Sequence, residues 1–471
     1  MKQEEKDTMR FDRRQFGKII GGLGVAAAGM ALGSAQLGHA EEKNPVTGRM
    51  VQPVPDGPHQ VDTARYQRFN GKNMAFNINS RELGENWLTV MKKNAVANIK
   101  KGYGAKEIQL GSPAKARSEA AFFLALDRMN EITGTHGENM ENKEALSWNS
   151  DHDFPLPPTQ RDPEILTQQV KLMARLAGAD LVGICRLDRR WIYSEVQRNG
   201  LSSGPAITKE IVFKGRKPKE TERQLIIPED CRYAIVMAFA QNRRMVQTSP
   251  SMLSMAATFQ GYSRMGFATI TLAEYIRMEG YTALPCKNDT GLSVPMAVDA
   301  GLGEVGRHSI LITPEFGPNV RLAKVITNMP LIPDNPIEFG VQEFCKSCKK
   351  CARECPSKSI TEGDKGWEGK SECNNAGVFK YHNDLKKCHL YWVENGSSCM
   401  NCVAVCPFTK GAMVTHDITR NLINHAPWMN SIWLNLDDTF GYGEPRSHRE
   451  IMEMQTGSYG LDPRHFERTV G

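Results

Sequence analysis

Apolar positions recur with a helical period in some stretches of the chain and as short strand-like runs in others, and the two kinds are interleaved. Ile165, Leu166, Val170, Met173 and Leu176 predict a helix that opens after Asp162, with Pro163 in its first turn, and stops at Gly178. Residues 180–185 and 234–240 read as buried strands, residues 251–280 as a long helix and residues 309–313 as another strand. A further helical period covers residues 119–129 around Ala121, Phe122, Leu124 and Leu126. Helices alternating with β-rich runs predict an α/β (α+β) core.

Polar and proline-rich stretches divide the chain. The segment 154–158 marks a boundary, and residues 188–230, Lys/Pro-rich around 214–222, read as a surface excursion. The expected organisation is a leader over 1–40, an N-terminal region over 41–160 and a core over 161–339. A small cysteine-rich domain over 340–410 and a C-terminal region over 411–471 follow.

The leader has its own chemistry. Arg10, Asp12, Arg13, Arg14, Gln15 and Phe16 run into a weakly apolar stretch, 19–37, diluted by Gly21, Gly22, Gly24, Gly29 and Gly33. Gly38 and Ala40 then offer a processing site, so the order is that of a twin-arginine export signal, with Gly17 where such signals often carry Leu. No later apolar run reaches the roughly 18 residues a membrane span needs. The 471 residues are 40% hydrophobic and 24% charged, as in an ordinary globular protein. The formal charge of +6 falls to about +4 without the leader, too weak and dispersed to suggest nucleic acid.

Eight of the 12 cysteines form two runs: Cys345, Cys348, Cys351 and Cys355 before Pro356, and Cys388, Cys399, Cys402 and Cys406 before Pro407. The first has the C-x2-C-x2-C-x3-C-P spacing of a two-cluster ferredoxin, whose fourth cysteine serves the other cluster. By that rule Cys345, Cys348, Cys351 and Cys406 hold one 4Fe-4S cluster, and Cys355, Cys388, Cys399 and Cys402 the other. The second run departs from the pattern, since a long loop separates Cys388 from Cys399. Zinc or disulfides are the competing readings, and paired C-x2-C units closed by C-P match zinc ribbons poorly. Cys185, Cys231, Cys286 and Cys373 show no ligand spacing and read as buried thiols.

Gly301, Gly303 and Gly306 match G-x-G-x-x-G, but a helix precedes them and a strand follows, the reverse of a dinucleotide site. They read instead as positions where backbone passes close to something flat. No Walker A sequence is present, and no histidine lies two residues after an Asp, which removes the D-x-H-x-x-G motif that ligates cobalt from below.

The segments Gly261-Tyr262-Ser263-Arg264-Met265, Asn288-Asp289-Thr290-Gly291, Ala300-Gly301-Leu302-Gly303 and Thr313-Pro314-Glu315-Phe316-Gly317-Pro318-Asn319-Val320-Arg321, leading into the cysteine runs, closely resemble the reductive dehalogenases. The resemblance covers the leader and most of 162–443, and residues 312–330 and 339–355 look most like the tetrachloroethene-type members. It implies a nitroreductase-like core holding a base-off corrinoid, a ferredoxin-like domain with two 4Fe-4S clusters, and an organohalide substrate. Tyr262 matches the proton donor, Arg321 and Asn288 the polar residues beside it, and Thr258 and Trp392 the substrate pocket. Ser293, Gly301 and Gly303 are then the expected corrinoid contacts. The implied partners are a small integral-membrane anchor and a quinol-linked or other low-potential donor, at the outer face of the cytoplasmic membrane. Dimerisation, the preferred organohalide and the corrinoid's lower base stay open. Two other readings remain: an epoxyqueuosine reductase, cytoplasmic and acting on tRNA, and an exported electron carrier without an active site.

Overall fold

Ala234, Val236 and Ala238 alternate along one strand with Ile235, Met237 and Phe239, and all six are fully buried. A strand apolar on both faces needs cover on both. In the computed structural model it is Tyr233–Ala240 (β2), inside a sheet with Leu181–Arg186 (β1), Ala283–Cys286 (β3) and Val320–Thr327 (β4). The order is β3-β4-β2-β1, and every pairing is antiparallel, so the architecture is α+β. The described residues are 42–43, 50–53, 58–133, 146–148, 157–158, 160–198, 207–409, 423, 427–439, 441 and 443; the leader reading lies outside them.

The helices that position the site are Trp87–Lys100 (α1), Pro113–Thr133 (α2), Pro163–Leu176 (α3), Met252–Met278 (α4), Ser293–Asp299 (α5), Val341–Cys348 (α6) and Leu385–Asn395 (α7). On one face of the sheet, Val170 of α3 and Met265 and Leu272 of α4 pack on Ile235, Met237 and Val325. On the other, Met296 and Ala297 of α5 join Val236, Leu284 and Ile326. Both α3 and α4 start where the sequence places them. Asp162 caps α3 by accepting from the Glu164 N–H at 2.8 Å, and Ser251 and Ser254 cap α4 reciprocally.

Four expectations need correction. The 188–230 stretch is no surface excursion: it contributes a four-stranded sheet, with Glu195–Arg198, Ile207–Phe213, Gln224–Ile227 and Lys219–Glu220 in spatial order. Trp191, Ile211 and Leu225 bury into the main core, and the inward Lys209 is paired with Glu220 at 2.8 Å, which is why its polar composition misleads. Helix α2 faces the opposite way from its apolar period. Glu119 and Asp127 point inward while Phe122 and Leu124 are exposed, because polar links fix its inner face: Ser263 donates to the Leu126 carbonyl and accepts from the Asn130 N–H. Ile165 and Leu176 of α3 likewise lie outside the buried stripe of Leu166, Val170 and Ala174.

The cysteine-rich segment is not separate either. Asn94 and Asn98 of α1 donate to the Val393 and Asn395 carbonyls at the end of α7 at 2.8 and 3.0 Å, and Phe344 and Phe408 share a core with Ile312 and Phe339. Among the described residues, no helix is long and apolar enough to cross a membrane.

Candidate redox site and its tyrosine

Helix α6 and the short turn after it bring three thiols of the first run to one small cavity, lined by Cys345, Cys348, Cys351 and, from the second run, Cys406. The electrostatic neighbours of Cys406 are Cys345, Cys348 and Cys351, and those of Cys399 are Cys388 and Cys355. Cys402 faces Cys399, Cys388 and Cys355, and also Cys351, so the two thiol sets adjoin. The eight thiols thus fall into two sets of four, Cys345, Cys348, Cys351 and Cys406, and Cys355, Cys388, Cys399 and Cys402.

Burial pushes the Cys345 and Cys388 thiols up to about 11, so a cation is needed to draw off their protons. Among the described residues, no three ligating side chains converge on a single metal ion. A cubane does not ask for that, because each thiolate bonds its own iron. Four soft donors around one cavity therefore fit a cluster better than mononuclear zinc.

The second set adjoins the helix that carries Tyr262 through Met400, the residue after Cys399. Ser249 lies 4.0 Å from the Cys399 sulfur and accepts from the Met400 N–H at 2.7 Å, and the Thr258 hydroxyl meets the Met400 sulfur at 2.8 Å. Tyr262 follows one turn after Thr258 on α4. Its hydroxyl accepts from Asn288 Nδ2 at 2.9 Å, and the Arg321 guanidinium lies over its ring, 4.8 Å from the centroid. Tyr262, Asn288 and Arg321 thus come together from three distant segments. Trp392, on α7, stands in an aromatic group with Phe76 and His389.

Local chemistry explains how the three meet. Arg321 is opposite Phe239 in the sheet, hence on the α4 face. Gly261 makes room for it: a Cβ there would lie 2.8 Å from Arg321 Cγ. Lys324, fully buried, donates to the Asp289 carbonyl at 2.6 Å and to Ser293 Oγ at 3.0 Å, with the Lys287 and Gly291 carbonyls at 3.4 Å. It thereby pins the loop that carries Asn288. Burial lowers the Lys324 ammonium below the ordinary lysine range, against the pull of Cys286 and Asp289. Arg264 clamps α4 to the sheet through the Ala240 and Gly178 carbonyls and Asp180. Sequence reasoning missed Gly261 and Lys324; the small residue beside a tyrosine and the cation inside an apolar strand were the available signals.

The glycine expectation changes its reason. A Cβ at Gly301 would strike the Asn335 carbonyl and one at Gly303 the Ile312 carbonyl, so the flat neighbour is the chain's own backbone. Ser293 is engaged by Lys324. The buried polar atoms Gln241 Oε1, Gln247 Oε1, Ser398 Oγ, Asn401 Oδ1, Arg321 Nε and Trp392 Nε1 each lack a partner among the described residues. Buried polar groups are normally satisfied, and a ligand rich in amides would satisfy these. Cys185, Cys231 and Cys286 are core thiols, and Cys373 is buried apart from them.

Paired thiol sets beside a tyrosine held by an amide and a guanidinium define a redox enzyme able to deliver electrons and a proton together. The chain belongs to the reductive dehalogenases. It is 40% identical to the tetrachloroethene reductive dehalogenase of Sulfurospirillum multivorans over 99% of this chain and 98% of that protein. It is 39% identical to that of Dehalobacter restrictus over 62% of this chain and 56% of the relative. The reductive dehalogenase subunit family matches residues 207–331. A solved catabolic reductive dehalogenase superposes with a TM-score of 0.59 at 23% identity, over 83% of this chain and 49% of the other, so this chain spans about half its length. Family membership favours the dehalogenase reading over the epoxyqueuosine reductase and the plain electron carrier.

Proposed function

We propose that the protein reductively removes halide from a small organohalide, a chlorinated ethene being the favoured class, by the overall reaction of R–X with two electrons and one proton to give R–H and X⁻. The observation that carries this is the Tyr262 hydroxyl held by Asn288 and stacked under Arg321. It lies one helical turn from a threonine that touches the residue after Cys399. The relatives from Sulfurospirillum and Dehalobacter are tetrachloroethene reductive dehalogenases, which supports the substrate class. A solved structural relative is described as B12-dependent.

When bound, a base-off corrinoid supplies the low-valent cobalt that engages the carbon–halogen bond, and two 4Fe-4S clusters supply electrons singly. The unpartnered Gln241 Oε1, Gln247 Oε1, Ser398 Oγ and Asn401 Oδ1 atoms would hold the corrinoid's amide periphery, within a nitroreductase-like core. The two crossed thiol sets would hold the clusters, in a ferredoxin-like arrangement.

The chain's own residues handle the proton. Asn288 donates to the phenol oxygen, so the phenol's proton is left for the substrate carbon, and the same N–H then stabilises the phenolate. The Arg321 cation over the ring favours that anion further. Thr258 and Trp392 would shape the apolar enclosure that excludes water and competing proton reduction.

By this reading the protein is exported folded by the twin-arginine route and held at the outer face of the cytoplasmic membrane by a small anchor protein. A quinol-linked or other low-potential donor reduces it. Halide release measured across chlorinated ethenes, ethanes and aromatics, with cobalt and iron assayed in the same sample, tests the proposal. Dehalogenation by cobalt-free protein would refute it.

A further inference from the structure

The cavity that gathers Cys345, Cys348, Cys351 and Cys406 is also walled by Arg307, His308 and Lys349. Arg307 is 1% exposed, far too buried for a solvated charge. Its Nε donates to the Cys345 carbonyl at 3.1 Å, its Nη1 to the Thr361 and Gly363 carbonyls at 2.9 and 2.7 Å, and its guanidinium lies 4.1 Å from the centre of the Tyr381 ring. All of these partners are uncharged, and Nη2 has none among the described residues. In His308, Nδ1 accepts from the Ile310 N–H at 3.2 Å, which leaves the ring proton on Nε2. That nitrogen is buried and unpartnered too.

An unsatisfied buried donor costs about 1–3 kcal/mol, and more when it carries charge. Two of them beside four thiols form a half-built site whose missing half is an anionic acceptor. A cubane bonded to four thiolates is negative and presents sulfur acceptors.

We propose that Arg307 and His308 donate through Nη2 and Nε2 to the sulfurs of the cluster held by Cys345, Cys348, Cys351 and Cys406, and so hold its potential above that of the neighbouring cluster. The proposal rests on the two-cluster reading. Taking one electron from a low-potential donor adds one negative charge to the cluster, and a fixed cation with two N–H donors stabilises that state more than the oxidised one. The second set has milder company. Ser357 and Ser359 lie 3.3 and 3.4 Å from the Cys355 sulfur, and Ser357 donates to Ser359 at 3.0 Å, so among the described residues it is hydroxyls that face this sulfur. The first cluster is then the one reduced first as the potential is lowered, and the second, beside the Thr258 helix, the one reduced last.

The test is a redox titration of the full-length protein, purified without oxygen and followed by electron paramagnetic resonance, with Cys351→Ser identifying the signal of the first cluster. Arg307→Met and His308→Phe should each make that cluster's potential more negative and leave the other unchanged. For Arg307→Met the shift should alter the electron's distribution between clusters at least about tenfold, which is about 59 mV for a one-electron couple. Arg307→Lys should recover part of it, and Ser357→Ala should move only the second cluster. Should Arg307→Met lose iron, Arg307→Lys and His308→Phe give the same reading. Iron-replete variants whose first-cluster potential matches the parent would overturn the proposal, whereas a parent protein without clusters would overturn the two-cluster reading instead.

Discussion

Arg321 and Lys324 leave opposite faces of one strand to serve the same tyrosine. Arg321, opposite Phe239, reaches over the ring of Tyr262, while Lys324, opposite Val236, turns to the far side and holds the loop that presents Asn288. Three residues of spacing on a pleated strand are enough to place two cations on two faces. The strand is therefore the common support of the tyrosine and its two polar neighbours.

Tyr262→Phe keeps the ring under Arg321 and removes only the acidic proton. Halide release should fall by about 10²–10⁴-fold, the usual worth of a positioned acid, with iron and cobalt unchanged. A variant as active as the parent would take Tyr262 out of the chemistry.

Lys324→Met matches the side chain in length and strips the loop of its anchor. The buried Asp289 carbonyl loses its close donor, for a cost of about 1–3 kcal/mol. Turnover should drop at least about tenfold with KM little changed, because Asn288 would no longer be held on the phenol. Equal kcat in variant and parent would show that the loop holds its shape unaided.

Gly261→Ala probes the packing beneath Arg321. The added methyl would sit 2.8 Å from Arg321 Cγ, so the guanidinium has to move while the helix gains a better helix former. Activity should fall about 10–100-fold with helix content and iron retained. Undiminished activity would mean that Arg321's position over the ring is immaterial.

Glu304 gives the fold a pH dependence. Burial raises its carboxyl to about 7, although Oε1 accepts from the Phe339 and Val341 N–H groups at 2.7 and 3.2 Å. The folded chain thus keeps a proton that the unfolded chain releases near its ordinary 4.5. This contribution is complete below that value, declines as pH rises to about 7 and is flat beyond, spanning at most about 3 kcal/mol. Glu304→Gln should flatten the profile of Tm against pH in that window. An identical slope in the variant would assign it to other groups.

Much of the fold is legible in the sequence because local signals agree there with burial. The Asp162 cap, the apolar run of β2 and the length of α4 each say one thing. Strand β4 is obscured by Arg321 and Lys324, charges that an apolar-run reading takes as breaks and that are present for the site. The outward Phe122 and inward Glu119 mislead for the complementary reason, since tertiary hydrogen bonds and not local period decide which face of α2 is buried. The thiol grouping is written in spacing, as ligand chemistry requires. The contacts among Tyr262, Asn288 and Arg321 are not, because nothing local records which segments the sheet brings together; only likeness to a family singles those residues out.

Cys406 stands among the thiols of the first run, and Cys355 among those of the second. On the two-cluster reading, each half of the segment is one ligand short by itself and is finished by a sulfur from its counterpart. Removing Cys406 would then cost the first run its cluster even with Cys345, Cys348 and Cys351 untouched, so damage to either run spreads to both.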